Sequence, residues 1–330
     1  MNRRGRVDLR VWCRGLQELA WLSAAATVPL AFNPWGWNSF ELPKTLLLRL
    51  FALIVGLGAV VAMIAPRKPR QDGESSLRLF PYAVTVFGLA LVAATLFSVD
   101  RRISLWGSYE RQQGLLTRLS YLLLFVAAAR GIRTRRQMVR LWTILVWGSL
   151  PVVIYGLLQW RGYDPLRLQA APVARFAATV GDAESLGHYL MMMVPLTVGR
   201  TLLLKRHLGL RPIYLLLLGA QVLCLLMSGP LSAYIGLAVA LVVGVGAAGV
   251  VTKKGWMASV GLAVVLGIVV FLALLGLRDG PLAQLADLPV LNRLSSLIRV
   301  DTAATAAWFA VWRVALPLIR DRPLLGYGPE

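Results

Sequence analysis

Apolar runs of roughly 16–22 residues alternate with short polar segments along this chain, and every second polar segment is loaded with Arg and Lys. A run of that length crosses the hydrocarbon core of a bilayer as a helix. The runs predict nine crossings, at about 16–32, 45–65, 80–98, 114–129, 141–160, 186–204, 213–228, 231–250 and 256–277. Helix-breaking residues mark the ends: NPWGWNSFELPK follows the first run, PRKPRQDGESSLR the second, and SGP joins the seventh to the eighth. The seventh run is short, so a re-entrant pair with the eighth is the alternative there. The expected fold is all-α: a polytopic transmembrane bundle over 1–277 with a cytoplasmic N-terminus, then the start of a large extracytoplasmic loop at 278–330. In that loop, TAATAAWFAVWRVALPLIRD carries an apolar stripe (Ala307, Val311, Leu318) but is interrupted by Arg313 and Pro317. An amphipathic helix lying on the outer surface is expected there.

Charge orients the pattern. Segments 1–18, 66–79, 130–140, 200–212 and 252–255 hold 20 of the 35 Lys and Arg but only 4 of the 15 Asp and Glu. Basic loops stay in the cytoplasm, and the parity of nine crossings puts all five on that side. Trp35, Trp37, Trp106 and Trp160 fall near the outer boundaries, and Trp12, Trp142 and Trp256 near the inner ones, as indoles at a membrane interface do. The +20 net charge therefore reports topology and contact with anionic lipid rather than nucleic-acid binding, for which no motif is present. The basic N-terminus followed by an apolar run also resembles a signal peptide, with AAAT near residue 25 as a cleavage site. A retained first helix is expected, because the run continues to Phe32. In the eighth run Gly236, Ala240, Gly244 and Ala248 recur every four residues, a stripe that lets a neighbouring helix approach.

The usual soluble-enzyme motifs are missing: there is no phosphate loop, no HExxH and no Gly-x-Ser-x-Gly. Cys13 and Cys224 sit on opposite expected sides and read as plain small side chains. His188 and His207 lack partners at ligand spacing, so no metal site is expected. The remaining candidates are cations on the outer face: Lys44 in FELPK, Arg101, Arg102 and Arg111 before the fourth run, and Arg161, Arg167 and Arg175 before the sixth. Guanidinium suits a lipid-linked phosphate, because it donates two parallel hydrogen bonds to phosphate oxygens. Arg111 stands out because WGSYERQQG is Gly- and aromatic-rich and abuts a helix start, where backbone N–H groups favour anions. His188 is a candidate base or donor, or a histidine packed at a helix start.

FNPWGWNSFELPK, SLWGSYERQQGLLTRLSYLLLF, RFAATVGDAESLGHYLMMMVPL and DRPLLGYGPE resemble, in that order, the O-antigen ligase and polymerase superfamily. The resemblance covers about residues 30–330. It implies a metal-independent, cofactor-free glycosyltransferase of the cytoplasmic (inner) membrane. Such an enzyme takes a glycan from an undecaprenyl-diphosphate carrier and passes it to lipid A–core, another glycan or a protein. The resemblance also implies that Lys44 and Arg111 hold the carrier diphosphate; Arg102, Arg175 and His188 are further substrate-binding candidates from their place on the outer face. Asp182 and Glu184 stand where the family has amides, and acids there repel a diphosphate. The catalytic base is expected beyond Glu330, so the chain reads as a truncated or split product, or as a degenerate relative. The rival readings are an inorganic-carbon carrier-like transporter and a non-catalytic partner in envelope glycan assembly.

Overall fold

A computed structural model describes residues 9–64, 79–166, 176–204, 209–251, 303–323 and 326–330, with scattered positions between 256 and 274. The described residues are helical, with no strand among them. The helices are α1 (Leu9–Thr27), α2 (Glu41–Ile64), α3 (Leu79–Leu96), α4 (Arg101–Trp106), α5 (Leu115–Gly131), α6 (Arg135–Trp160), α7 (Ala183–Leu203), α8 (Arg211–Ser228), α9 (Leu231–Val251) and α10 (Ala303–Asp321). Glu41–Ile64, Arg135–Trp160, Arg211–Ser228 and Ser232–Gly249 are long and apolar enough to cross a membrane. Eight of the nine apolar runs thus coincide with helices. The ninth, at 256–277, lies largely outside the described residues. The segment expected as a surface helix forms α10.

The boundaries have local causes. α1 is helical from Leu9, ahead of the expected crossing at 16–32, and Cys13 is buried. It stops at Thr27, where Pro29 opens a 3-10 turn over Val28–Leu30. Asn38 caps α2 by accepting from Glu41 N (3.0 Å) and Leu42 N (3.3 Å). Gly229, at φ 80°, ends α8 in the left-handed conformation, which makes the Ser-Gly-Pro turn into α9. Pro151 and Pro195 sit inside α6 and α7. Helices in lipid tolerate this where side chains and neighbours supply the missing partners.

The chain divides into two compact units, residues 1–144 with 315–330, and residues 145–314. In the first, α1 and α2 form a hairpin that packs on α5, around Trp21 and Leu22 of α1, Leu48, Ala52 and Val55 of α2, and Leu124 of α5. The opposite face of α2 leaves Leu46, Leu50, Leu53 and Leu57 exposed. A helix with one buried and one bare leucine face needs a second apolar medium, which lipid provides.

In the second unit α7 packs on both α8 and α9. Val146, Tyr214 and Leu217 join α6 to α8, and Gln221 Nε2 donates to Ser149 Oγ (2.7 Å) in the same seam. Cys13 and Cys224 are both buried free thiols. The small-residue stripe on α9 is used at one end: Gly236 lies against Met191 of α7, whereas Gly244 faces open space among the described residues.

Candidate functional site

The polar residues of the first unit gather at the start of α5. Asp100 caps α4 by accepting from Arg102 N (2.9 Å) and Ile103 N (3.1 Å). Gly107, at φ 93°, ends that helix and turns the chain into 108–114. The loop then folds back so that Gly114 crosses Gly107 backbone to backbone. A Cβ on Gly107 would stand 2.6 Å from Gln112 C, and one on Gly114 2.7 Å from Trp106 C. Only glycine fits such a crossing. Gln112, in the left-handed region at φ 56°, completes the reversal.

Three groups from elsewhere in the chain hold this loop. Arg49, inside α2, donates to Trp106 O (2.8 Å) and to Thr117 Oγ1 (2.7 Å), and Thr117 Oγ1 donates in turn to Gln112 O (2.6 Å). Asn38 Nδ2 donates to Tyr109 O (2.8 Å), latching the turn that precedes Lys44 to the turn that contains Arg111. The third group is the segment 326–330. Ser98 Oγ donates to Tyr327 O (2.9 Å), Arg118 Nη2 to Pro329 O (2.8 Å) and Ser104 Oγ to Glu330 O (3.1 Å). The Glu330 carboxylate accepts from Ser108 Oγ and from Gln113 N (2.8 Å). Gly328 permits this approach: at φ 132°, a Cβ there would lie 2.9 Å from Ser98 Cβ and closer still to the Ser98 and Ser104 hydroxyls.

The result is a cradle of hydroxyl, backbone N–H and guanidinium donors around a carboxylate and three carbonyls. Charge-assisted hydrogen bonds of this kind are about twice as strong as neutral ones. The cradle occupies its inner donors with the chain's own acceptors and leaves the side chains of Arg101, Arg102 and Arg111 exposed around it.

The structure places the expected site residues as follows. Arg102 and Arg111 flank the cradle. Lys44 lies in the second turn of α2 with Nζ 5.4 Å from the centre of the Phe40 ring. Arg175 and Arg167 lie outside the described residues. His188 belongs to the second unit, where its Nε2 is 2.9 Å from Ser232 Oγ and ties α7 to α9. Arg161 there stacks over Trp160, 5.5 Å from the ring centre.

Asp182 has a structural use: it is the N-cap of α7 and accepts from Ser185 N (2.8 Å). Asp182→Ala is expected to cost about 1 kcal/mol, and Asp182→Asn little, in thermal unfolding of the detergent-solubilised protein. Equal losses for both variants would assign the effect to charge rather than capping.

Arg49, Ser104, Ser108, Thr117, Arg118 and Glu330 were not among the residues expected from sequence. Their one visible signal is Arg49 and Arg118, cations set inside apolar runs where an unpartnered charge is costly. Among the described residues no group of three or more His, Cys, Asp or Glu is arranged to hold a metal. Comparison with family models, with curated proteins and with solved structures returns no match.

Proposed function

We propose that this chain is an O-antigen ligase-like membrane glycosyltransferase. It transfers or polymerises a glycan from an undecaprenyl-diphosphate carrier at the outer face of the cytoplasmic membrane. One observation carries the reading. Three of the four segments that resemble that superfamily, 32–44, 104–125 and 321–330, meet in one cradle, although up to 226 residues separate the hydrogen-bonded partners. Convergence of distant segments on one polar site is what a binding site requires and what helix packing alone does not.

In this reading Arg111, Arg102 and Lys44 bind the carrier diphosphate, and Glu330 satisfies the inner donors so that the loop holds its shape. The acceptor hydroxyl attacks the anomeric carbon as the bond to the diphosphate oxygen breaks. The hydroxyl proton passes to a general base, which the resemblance implies and to which none of these residues is assigned. Configuration inverts, and guanidinium stabilises the negative charge that builds on the leaving diphosphate.

The test is reconstitution of the full-length protein in vesicles with an undecaprenyl-diphosphate oligosaccharide and a candidate acceptor. Transfer that persists in excess chelator is the expected result. A protein that leaves the lipid-linked glycan intact but moves bicarbonate across the vesicle wall would replace this reading with the transporter.

A further inference from the structure

The first unit contains a second charged feature, at the end of the helices remote from the cradle, which the proposed function does not use. A cavity of about 860 Å³ opens between α1, α2, α5 and the start of α6. Its inner wall is apolar, formed by Trp21 of α1, Val55 and Ala59 of α2, and Leu123 and Val126 of α5. Its mouth carries five arginines: Arg14, Arg130, Arg133, Arg136 and Arg140. Among the described residues a single carboxylate, Glu18, lines the same cavity. Glu18 is already committed, with Oε1 2.7 Å from Arg140 Nη1 and Oε2 accepting from Gln137 Nε2 (3.0 Å). Among the described residues that line the cavity, no carboxylate is left to neutralise the other four guanidinium groups at the mouth.

The arrangement is built rather than incidental. Arg133 Nε donates to Arg130 O (3.2 Å), which holds the turn between α5 and α6. Gln137 Oε1 accepts from Arg133 N (3.0 Å) and Thr134 N (3.1 Å), and Thr134 Oγ1 accepts from Gln137 N (3.3 Å). That reciprocal cap fixes the first turn of α6, whose N-terminal dipole adds to the positive potential at the mouth. Trp21 is nearly fully buried, so the apolar wall is a fixed surface.

A cavity of this size lies within the range of small-molecule sites, about 300–1,000 Å³. Its polarity is graded, cationic at the mouth and hydrocarbon within, which matches neither a free inorganic anion nor a neutral lipid. Basic pockets between membrane helices on the cytoplasmic side suit anionic head groups. The segments that carry these arginines are the ones whose charge predicts that side. We infer that this cavity is a binding site for one anionic phospholipid, with its phosphate among Arg130, Arg133 and Arg136 and an acyl chain against Trp21, Ala59 and Leu123. The inference is independent of glycan transfer.

Native mass spectrometry of the full chain in a non-ionic detergent tests it, with added phosphatidylglycerol, phosphatidylcholine of the same acyl chains, or inorganic phosphate. One phosphatidylglycerol should be retained in preference to phosphatidylcholine. The combined Arg130→Gln, Arg133→Gln and Arg136→Gln variant should bind it about a hundredfold more weakly, at roughly fivefold per arginine. Ala59→Trp keeps every charge but fills the apolar wall, and it should lose the lipid too. Lys253→Gln with Lys254→Gln removes charge from another basic segment and should leave retention unchanged. Equal retention of the two lipids by the unaltered chain overturns the proposal, whatever the variants do. So does retention by Ala59→Trp, or displacement by phosphate at equal concentration, which would reduce the feature to an anion site.

Discussion

Arg111→Ala in the full-length protein is expected to lower glycan transfer by roughly 10²–10³, the usual effect of deleting one donor to developing negative charge. The structure separates this from a folding effect. The Arg111 side chain is exposed, and the residue contributes to the loop through its backbone, with N–H donating to Ser108 Oγ (3.3 Å). Alanine keeps that N–H, so membrane insertion and the thermal midpoint should not move. Arg111→Lys should fall between the two, because ammonium keeps the charge but loses the paired hydrogen bonds to phosphate. Turnover of a lipid-linked donor by the purified variants is the measurement. Transfer by Arg111→Ala at the unaltered rate would remove this residue from the site, and with it the main support for reading the loop as a diphosphate binder.

Gly114→Ala is expected to be among the most damaging single-methyl changes in the first unit. The added carbon would meet backbone atoms of Trp106 and Gly107, and backbone cannot move aside as a flexible side chain can. Overpacking costs typically reach about 3 kcal/mol, and this site belongs at that upper end. The shift would also break the acceptor position of Gly114 O, which receives Thr117 N and Arg118 N, both at 3.1 Å. Thermal unfolding in detergent and limited proteolysis between 98 and 118 report it, with Gly209→Ala as the comparison because among the described residues nothing lies within 4 Å of an added Cβ there. Comparable midpoints for the two variants would mean that the Gly107–Gly114 crossing is not a fixed feature of the fold.

The helices were legible because the hydrophobic pattern is long and blunt. Runs of roughly 16–22 mostly apolar residues between Pro, Gly and Arg clusters leave few other structures open. Local turn chemistry was legible at Gly229, where the Ser-Gly-Pro break marks the end of α8. Asp182 shows the weakness of reading a residue by its charge alone: as an anion it argues against a diphosphate, whereas in the fold it satisfies a helix start.

Composition and periodicity by themselves indicated helices, and among the described residues four are long and apolar enough to cross a membrane, because length and hydropathy are properties of each run taken alone. They also marked Arg111 as lying in an unusual loop. Only the tertiary structure decided what surrounds that loop. Arg49 reaches Trp106 and Thr117 across 57 and 68 residues, and Glu330 reaches Ser108 across 222. A hydrogen bond between distant segments leaves no periodic trace in either one, since its partner is fixed by how the helices pack and not by its neighbours in the chain.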